Sequence, residues 1–209
     1  MPVVSLALLP PADQAHEFRE LAVRHATVFL DPCKAEVWHR DTEEEDSMSM
    51  TGSTRSVVLQ SGEGYAFNFL GVPLSFKVKG ENTGGAFTMF EVTAPPLDPG
   101  VAVHRHEQTD EGFYVLEGTL HLEIDGQEMM LGPGAFALVP RGTPHRQGNG
   151  GDKPLRVLNT MSPSAPSEGY FEAMAGLIAT MPPGPPPADR MHELYELAER
   201  YDTFFVTPG

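Results

Sequence analysis

The sequence predicts an all-β domain flanked by helices, and three observations carry that expectation. Between residues 56 and 165, short apolar runs such as SVVLQ, YAFNFLG, LSFKVKG, AFTMFEVTA, FYVLEG, LHLEIDG, AFALVP and LRVLNT are separated by Gly, Pro, Asn and Asp. That spacing belongs to a sandwich or barrel. Inside the runs, apolar residues alternate with period two: Leu120, Leu122 and Ile124 share one face, His121, Glu123 and Asp125 the other. At both ends of the chain the apolar spacing lengthens to three and four residues, the period of helices.

Taken in order, residues 12–30 place Ala15, Phe18, Leu21, Ala22, Val28 and Phe29 at roughly helical spacing, and Asp31-Pro32 ends the pattern. Residues 38–54, WHRDTEEEDSMSMTGST, read as an exposed acidic linker, in which His39 has no partner at ligand spacing. The β region follows. Asp125-Gly126 marks a tight hairpin into QEMML. Helices are expected over 169–181 and 188–201, joined by the stiff PPGPPP connector. Leu194, Leu197, Ala198 and Tyr201 mark the buried stripe of the last one, and His192 lies on it without a ligand-type neighbour. The expected division is 1–55 as helical segment and linker, 56–165 as the β domain, and 166–209 as C-terminal helices. No internal repeat is visible.

Composition narrows the function. The formal charge of −15 over 209 residues disfavours nucleic acid and anionic membrane surfaces as partners, and a soluble acidic surface is its plain meaning. Cys33 is the only cysteine, which excludes an intrachain disulfide and a thiolate zinc cluster. No apolar run approaches the ~20 residues that span a bilayer. The start, MPVVSLALLPPADQ, has no basic n-region, so it reads as mature sequence and a cytoplasmic location is expected.

The stretch HRHEQTDEGFYVLEG, residues 104–118, carries the chemistry. On a strand, His104 and His106 project to one face with Cα atoms ~7 Å apart, while Arg105 turns away. Glu111 lies an odd number of residues further on, so the polar run 107–110 must reset the phase before Glu111, Phe113 and Val115 can point inward together. A fourth candidate, His145, follows the Pro140-Arg141-Gly142 turn. Three imidazoles and one carboxylate suit a first-row divalent ion and leave coordination positions open. The bland alternative is a set of histidines hydrogen-bonded inside a β domain. His121, on the polar side of its strand, is read as exposed.

These residues resemble the two conserved motifs of the cupins: HxH, four residues, Glu, six residues, Gly (His104, His106, Glu111, Gly118), then Gly, five residues, PxGxxH, three residues, Asn (Gly134, Pro140, Gly142, His145, Asn149). One departure is Gly100, which sits closer to the first histidine than the pattern expects. The resemblance implies a jelly-roll β-barrel over roughly residues 56–165, one divalent metal ion (Fe, Ni, Co, Mn or Cu) held by His104, His106, Glu111 and His145, and a homodimer.

Within the cupins the segment order is similar to that of the quercetin 2,3-dioxygenase-like group, with Gly112 where alanine is often seen. That resemblance implies a dioxygenase acting with O2 on a flavonol or another enolic aromatic substrate. Glu111 would be both ligand and catalytic base, its pKa raised by burial. Phe90, Phe113 and Leu122 are lining candidates from strand parity, with core packing as the alternative. Asn149 is expected to fix its turn rather than touch substrate. Another cupin enzyme, such as an isomerase or a different dioxygenase, and a non-enzymatic small-molecule binder both stay open.

Overall fold

The structure, a computed structural model, describes residues 56–164, 167–182, 184 and 186–206. The helix expected over 12–30, the acidic linker and part of the PPGPPP connector lie outside the described residues. The strands are β1 (Tyr65–Phe69), β2 (Val72–Val78), β3 (Thr88–Ala94), β4 (His104–Arg105), β5 (Asp110–Glu117), β6 (Leu120–Ile124), β7 (Gln127–Leu131), β8 (Phe136–Val139), β9 (His145–Asn149), β10 (Leu155–Ser162) and β11 (Phe204–Phe205). They form a six-stranded sheet in the order β1-β2-β3-β10-β5-β8 and a five-stranded sheet in the order β11-β4-β9-β6-β7. From β3 to β10 the chain passes repeatedly between the sheets, the connectivity of a jelly roll.

The sheets pack face to face without joining edge to edge, so the expected jelly roll is present as a two-sheet sandwich whose barrel is not closed by hydrogen bonds. Its main core takes Ala94, Phe113, Val115, Val139, Leu155 and Val157 from one sheet and Leu120 and Leu122 from the other. Period-two burial explains the choice: in β10, Leu155, Val157, Asn159 and Met161 are buried while the residues between them are not. The β6–β7 hairpin turns at Asp125 and Gly126, with φ of 49° and 74°, the left-handed pair that a two-residue hairpin requires. The run SVVLQ, expected as a strand, joins no strand ladder among the described residues, and Val58 is 81% exposed. An apolar run becomes a strand only where a ladder can accept it.

Beyond the sandwich, a short helix α1 (Gly80–Thr83) links β2 to β3. Helices α2 (Tyr170–Ile178) and α3 (Met191–Arg200) are shorter than the sequence suggests. Gly169, with φ of 90°, stops α2 from starting earlier, and a 3-10 turn at Ala188–Arg190 precedes α3. Leu194 and Ala198 are buried with Met174 and Met181, and Phe69 and Phe205 pack against this cluster. The chain then docks β11 against β4, pairing Phe204 with Arg105 and Phe205 with His104. That contact brings the C-terminal segment to the histidine-bearing strand.

Candidate metal centre

The β4–β9 pairing sets His104 directly opposite His145, while His106 lies just beyond β4 on the same face. Glu111 comes from the other sheet, at the start of β5. The polar run 107–110 does reset the phase: Glu111, Phe113 and Val115 are all buried, whereas Tyr114 is exposed. One ligand-type atom from each of His104, His106, Glu111 and His145 lies within 4.8 Å of the others, and all four residues are buried. The ring centroids of the three histidines are 4.4 to 5.5 Å apart.

Backbone carbonyls orient every ring. His104 Nδ1 bonds Ala102 O at 2.9 Å, His106 Nδ1 bonds Asp202 O at 2.7 Å, and His145 Nδ1 bonds Thr143 O at 3.0 Å. With Nδ1–H donating outward, each ring turns Nε2 toward the cluster, the arrangement in which a neutral imidazole ligates metal. His106 Nε2 and His145 Nε2 both face Glu111 Oε2, at 3.1 and 2.8 Å. Asn159 Nδ2 donates to Glu111 Oε1 at 2.8 Å.

The electrostatics fit a cation. Burial, and then the charges of His145 and His106, push His104 down to about 3, so its ring is neutral at pH 7. Burial also pulls His106 down, but the hydrogen bond and charge of Glu111, with Asp202, outweigh it and leave its pKa raised. The expected rise for Glu111 is overturned. Burial acts in that direction, but the hydrogen bonds and charges of His106 and His145 outweigh it and hold the carboxyl well below its ordinary value. A nitrogen and oxygen donor set without sulfur, converging on one buried point, fits a divalent first-row ion.

The remaining residues sort plainly. An apolar cavity adjoins the cluster, bordered by Phe69, Leu74, Phe90, Val92, Phe113, Leu120, Val157 and Phe171 together with His104, His106 and Glu111. Phe90 and Phe113 therefore border it. Leu122 sits instead in the main core, and Leu120 of the same strand face takes the place expected for it. Parity assigns a face, not a depth. His121 lies away from the cluster, 3.8 Å from Glu128, and His192 is exposed with its ring against Asp189 O. Arg141 pairs with Asp110 at 2.9 Å, and Arg105 with Glu107 at 2.8 Å. Asn149 bonds Pro95 O and Lys153 O at 2.8 Å and receives Gly151 N at 2.9 Å, so it holds its turn.

Gly100 also has a physical reason. Its φ is 71°, and a Cβ there would run into the carbonyl of Gln147. The glycine lets the segment before β4 lie against β9.

Sequence reasoning missed two residues. Asp202, 1% exposed, accepts Glu107 N at 2.9 Å and Gln108 N at 3.0 Å through its carboxylate, while its carbonyl holds His106. Nothing local to YDTFF signals this. Asn159 was findable, as the one polar residue on the inward face of LRVLNTMS.

Comparison with known proteins agrees with this picture. Residues 90–161 match the family described as the cupin domain. The chain is 35% identical over 88 residues to quercetin 2,3-dioxygenase of Bacillus subtilis, covering 42% of this chain and 26% of that protein. It is 39% identical over 72 residues to the tetracenomycin polyketide synthase protein TcmJ of Streptomyces glaucescens, covering 34% and 48% respectively. Over 87 residues it is 32% identical to the polyketide synthase CurC of Streptomyces cyaneus, covering 40% and 56%. The chain thus spans between about a quarter and just over half of these curated relatives. The jelly-roll connectivity and the four converging side chains accompany the match over residues 90–161, and in these features the β-sandwich of this chain is similar to the cupin domain.

Proposed function

We propose that this domain is a metal-dependent dioxygenase acting on a flavonol-like or other enolic aromatic substrate. The observation that carries the reading is the placement of the three-His, one-Glu cluster at the wall of a cavity whose other sides are predominantly aromatic and aliphatic. Similarity to a quercetin 2,3-dioxygenase over 88 residues supports it. Such a cavity excludes water and favours flat apolar rings. In this reading His104, His106 and His145 hold the ion with Glu111 as fourth ligand. A bound divalent ion would supply Lewis acidity toward a substrate oxygen and redox chemistry toward O2.

The residues of the chain have separate tasks. Phe90 and Phe113 flank the ring. Glu111, ionised across the neutral range, accepts the enol proton on a carboxylate oxygen. Its depressed pKa makes it a weak base, so the proton is readily returned to an oxygen of the product before that product leaves. Asn159 keeps the carboxylate oriented from the far side.

Protein loaded in turn with iron, nickel, cobalt, manganese or copper and given quercetin tests the reading. Loss of the flavonol absorbance with matching O2 uptake supports it; no uptake with any of these ions overturns it. A second reading, a non-oxidative role beside a polyketide synthase, draws on the similarity to TcmJ and CurC. It predicts tight binding of a polyketide-type aromatic without oxygen consumption.

A further inference from the structure

The inward face of β10 is apolar at every position but Asn159, which is 3% exposed. Its Nδ2 donates to Glu111 Oε1, and this settles which way the amide points, because an ionised carboxylate only accepts. The Oδ1 on the other side of that amide has no hydrogen-bond partner among the described residues. On the opposite sheet, Gln147 follows His145 by two residues on β9 and shares its face. Its Oε1 is also buried and without a partner among the described residues. Both residues border the apolar cavity beside the metal centre.

Buried carbonyl oxygens without a donor are rare and costly in folded proteins. Of the three such side-chain atoms among the described residues, two border this one cavity. A ligand that supplies donors would satisfy both. A carboxylate or phosphate ligand brings acceptors at neutral pH and would face these oxygens with repulsion.

We infer that Asn159 Oδ1 and Gln147 Oε1 are substrate-reading acceptors that take hydrogen bonds from the hydroxyl groups of a planar polyhydroxylated aromatic, and that they discriminate against hydroxyl-free ligands. The inference rests on the reading of this cavity as the substrate site and narrows its substrate class. Asn159 then has two tasks, orienting Glu111 and reading a hydroxyl from the same amide.

The test is binding under nitrogen, with the metal content of each sample measured. Full-length protein is titrated with quercetin and with flavone, which shares the ring skeleton without the hydroxyls. Gln147→Leu should weaken quercetin about tenfold and leave flavone within about twofold, since only the hydroxylated ligand loses a partner. Gln147→Met should do the same, which separates lost acceptor from altered packing. Asn159→Leu should also remove the advantage of quercetin. Equal weakening of both ligands, no effect on either, or no binding of quercetin by the unmodified chain overturns the inference. Hydroxyl-dependent binding without O2 uptake would remove the dioxygenase reading and leave this one standing. Turnover that ignores both amides would do the reverse.

Discussion

Replacing Asp202 tests whether the C-terminal segment belongs to the candidate metal centre. Its carboxylate accepts two backbone N–H groups, from Glu107 at 2.9 Å and Gln108 at 3.0 Å, in the loop that follows His106. Asp202→Ala removes both acceptors and leaves two partly buried donors unsatisfied. At about 1–3 kcal/mol for each orphaned group, the expected loss is roughly 2–4 kcal/mol, allowing for water reaching part of the loop. Alanine at the native φ of 59° adds about 1–2 kcal/mol of backbone strain. Asp202→Asn keeps an acceptor and tolerates that conformation, so it should retain most of the stability.

The metal should report the same change. The substitution keeps the backbone carbonyl that His106 Nδ1 meets but frees the loop that positions this ring, and disturbed outer support of a ligand lowers metal affinity by up to ~10- to 100-fold. Thermal denaturation should show Asp202→Ala melting roughly 6–24 °C lower, from a total loss of about 3–6 kcal/mol at about 2–4 °C per kcal/mol for a chain of this size. Metal titration followed by calorimetry gives the affinity. A variant that melts and binds metal like the unmodified protein would refute the idea that this segment holds the site.

Further outcomes follow from the same geometry. Adding a metal that binds the cluster, at a hundred times its Kd, should stabilise the fold by about 2.7 kcal/mol, and a chelator should abolish the shift; an unchanged melting curve counts against metal binding. His145→Ala should cut the metal content of the purified protein well below that of the unmodified chain, measured by elemental analysis, because His145 faces both Glu111 and His104. Gly100→Ala should cost more than about 3 kcal/mol, since a Cβ there meets the Gln147 carbonyl and the backbone is left-handed; near-normal stability would show that this approach relaxes cheaply. The Arg141 hydrogen bonds hold Asp110 down to about 2. The stability this pair adds is present above the ordinary carboxylate pKa and fades as pH falls toward 2. Being largely exposed and screened by solvent, the pair contributes little, so Asp110→Asn should melt slightly below the parent at pH 6 and converge with it near pH 2.

Much of this protein was legible in its residues. Period-two alternation located most strands, and Asp125-Gly126 announced its hairpin, because these signals depend on neighbours a few residues apart. His104, His106, Glu111 and His145 could be named together since strand parity and one polar turn place the first three, while a short motif marks the fourth. Parity could not tell Leu122 from Leu120, because depth depends on what the opposite sheet presents. It could not set the direction of the Glu111 pKa either, since burial and two hydrogen-bonded histidines oppose one another and only their distances decide which prevails.

What the sequence determined by itself was the β architecture and the identity of the four ligand-type side chains, both written in short-range spacing. Only the tertiary structure brought Asp202 to the loop after His106, across 95 residues, and Asn159 to Glu111, across 48. Contacts that distant leave no local pattern: they come from the packing of α3 and β11 against the sandwich and from the pairing of β10 with β5. The four ligand-type side chains are a property of the sequence, and their orientation is a property of the fold.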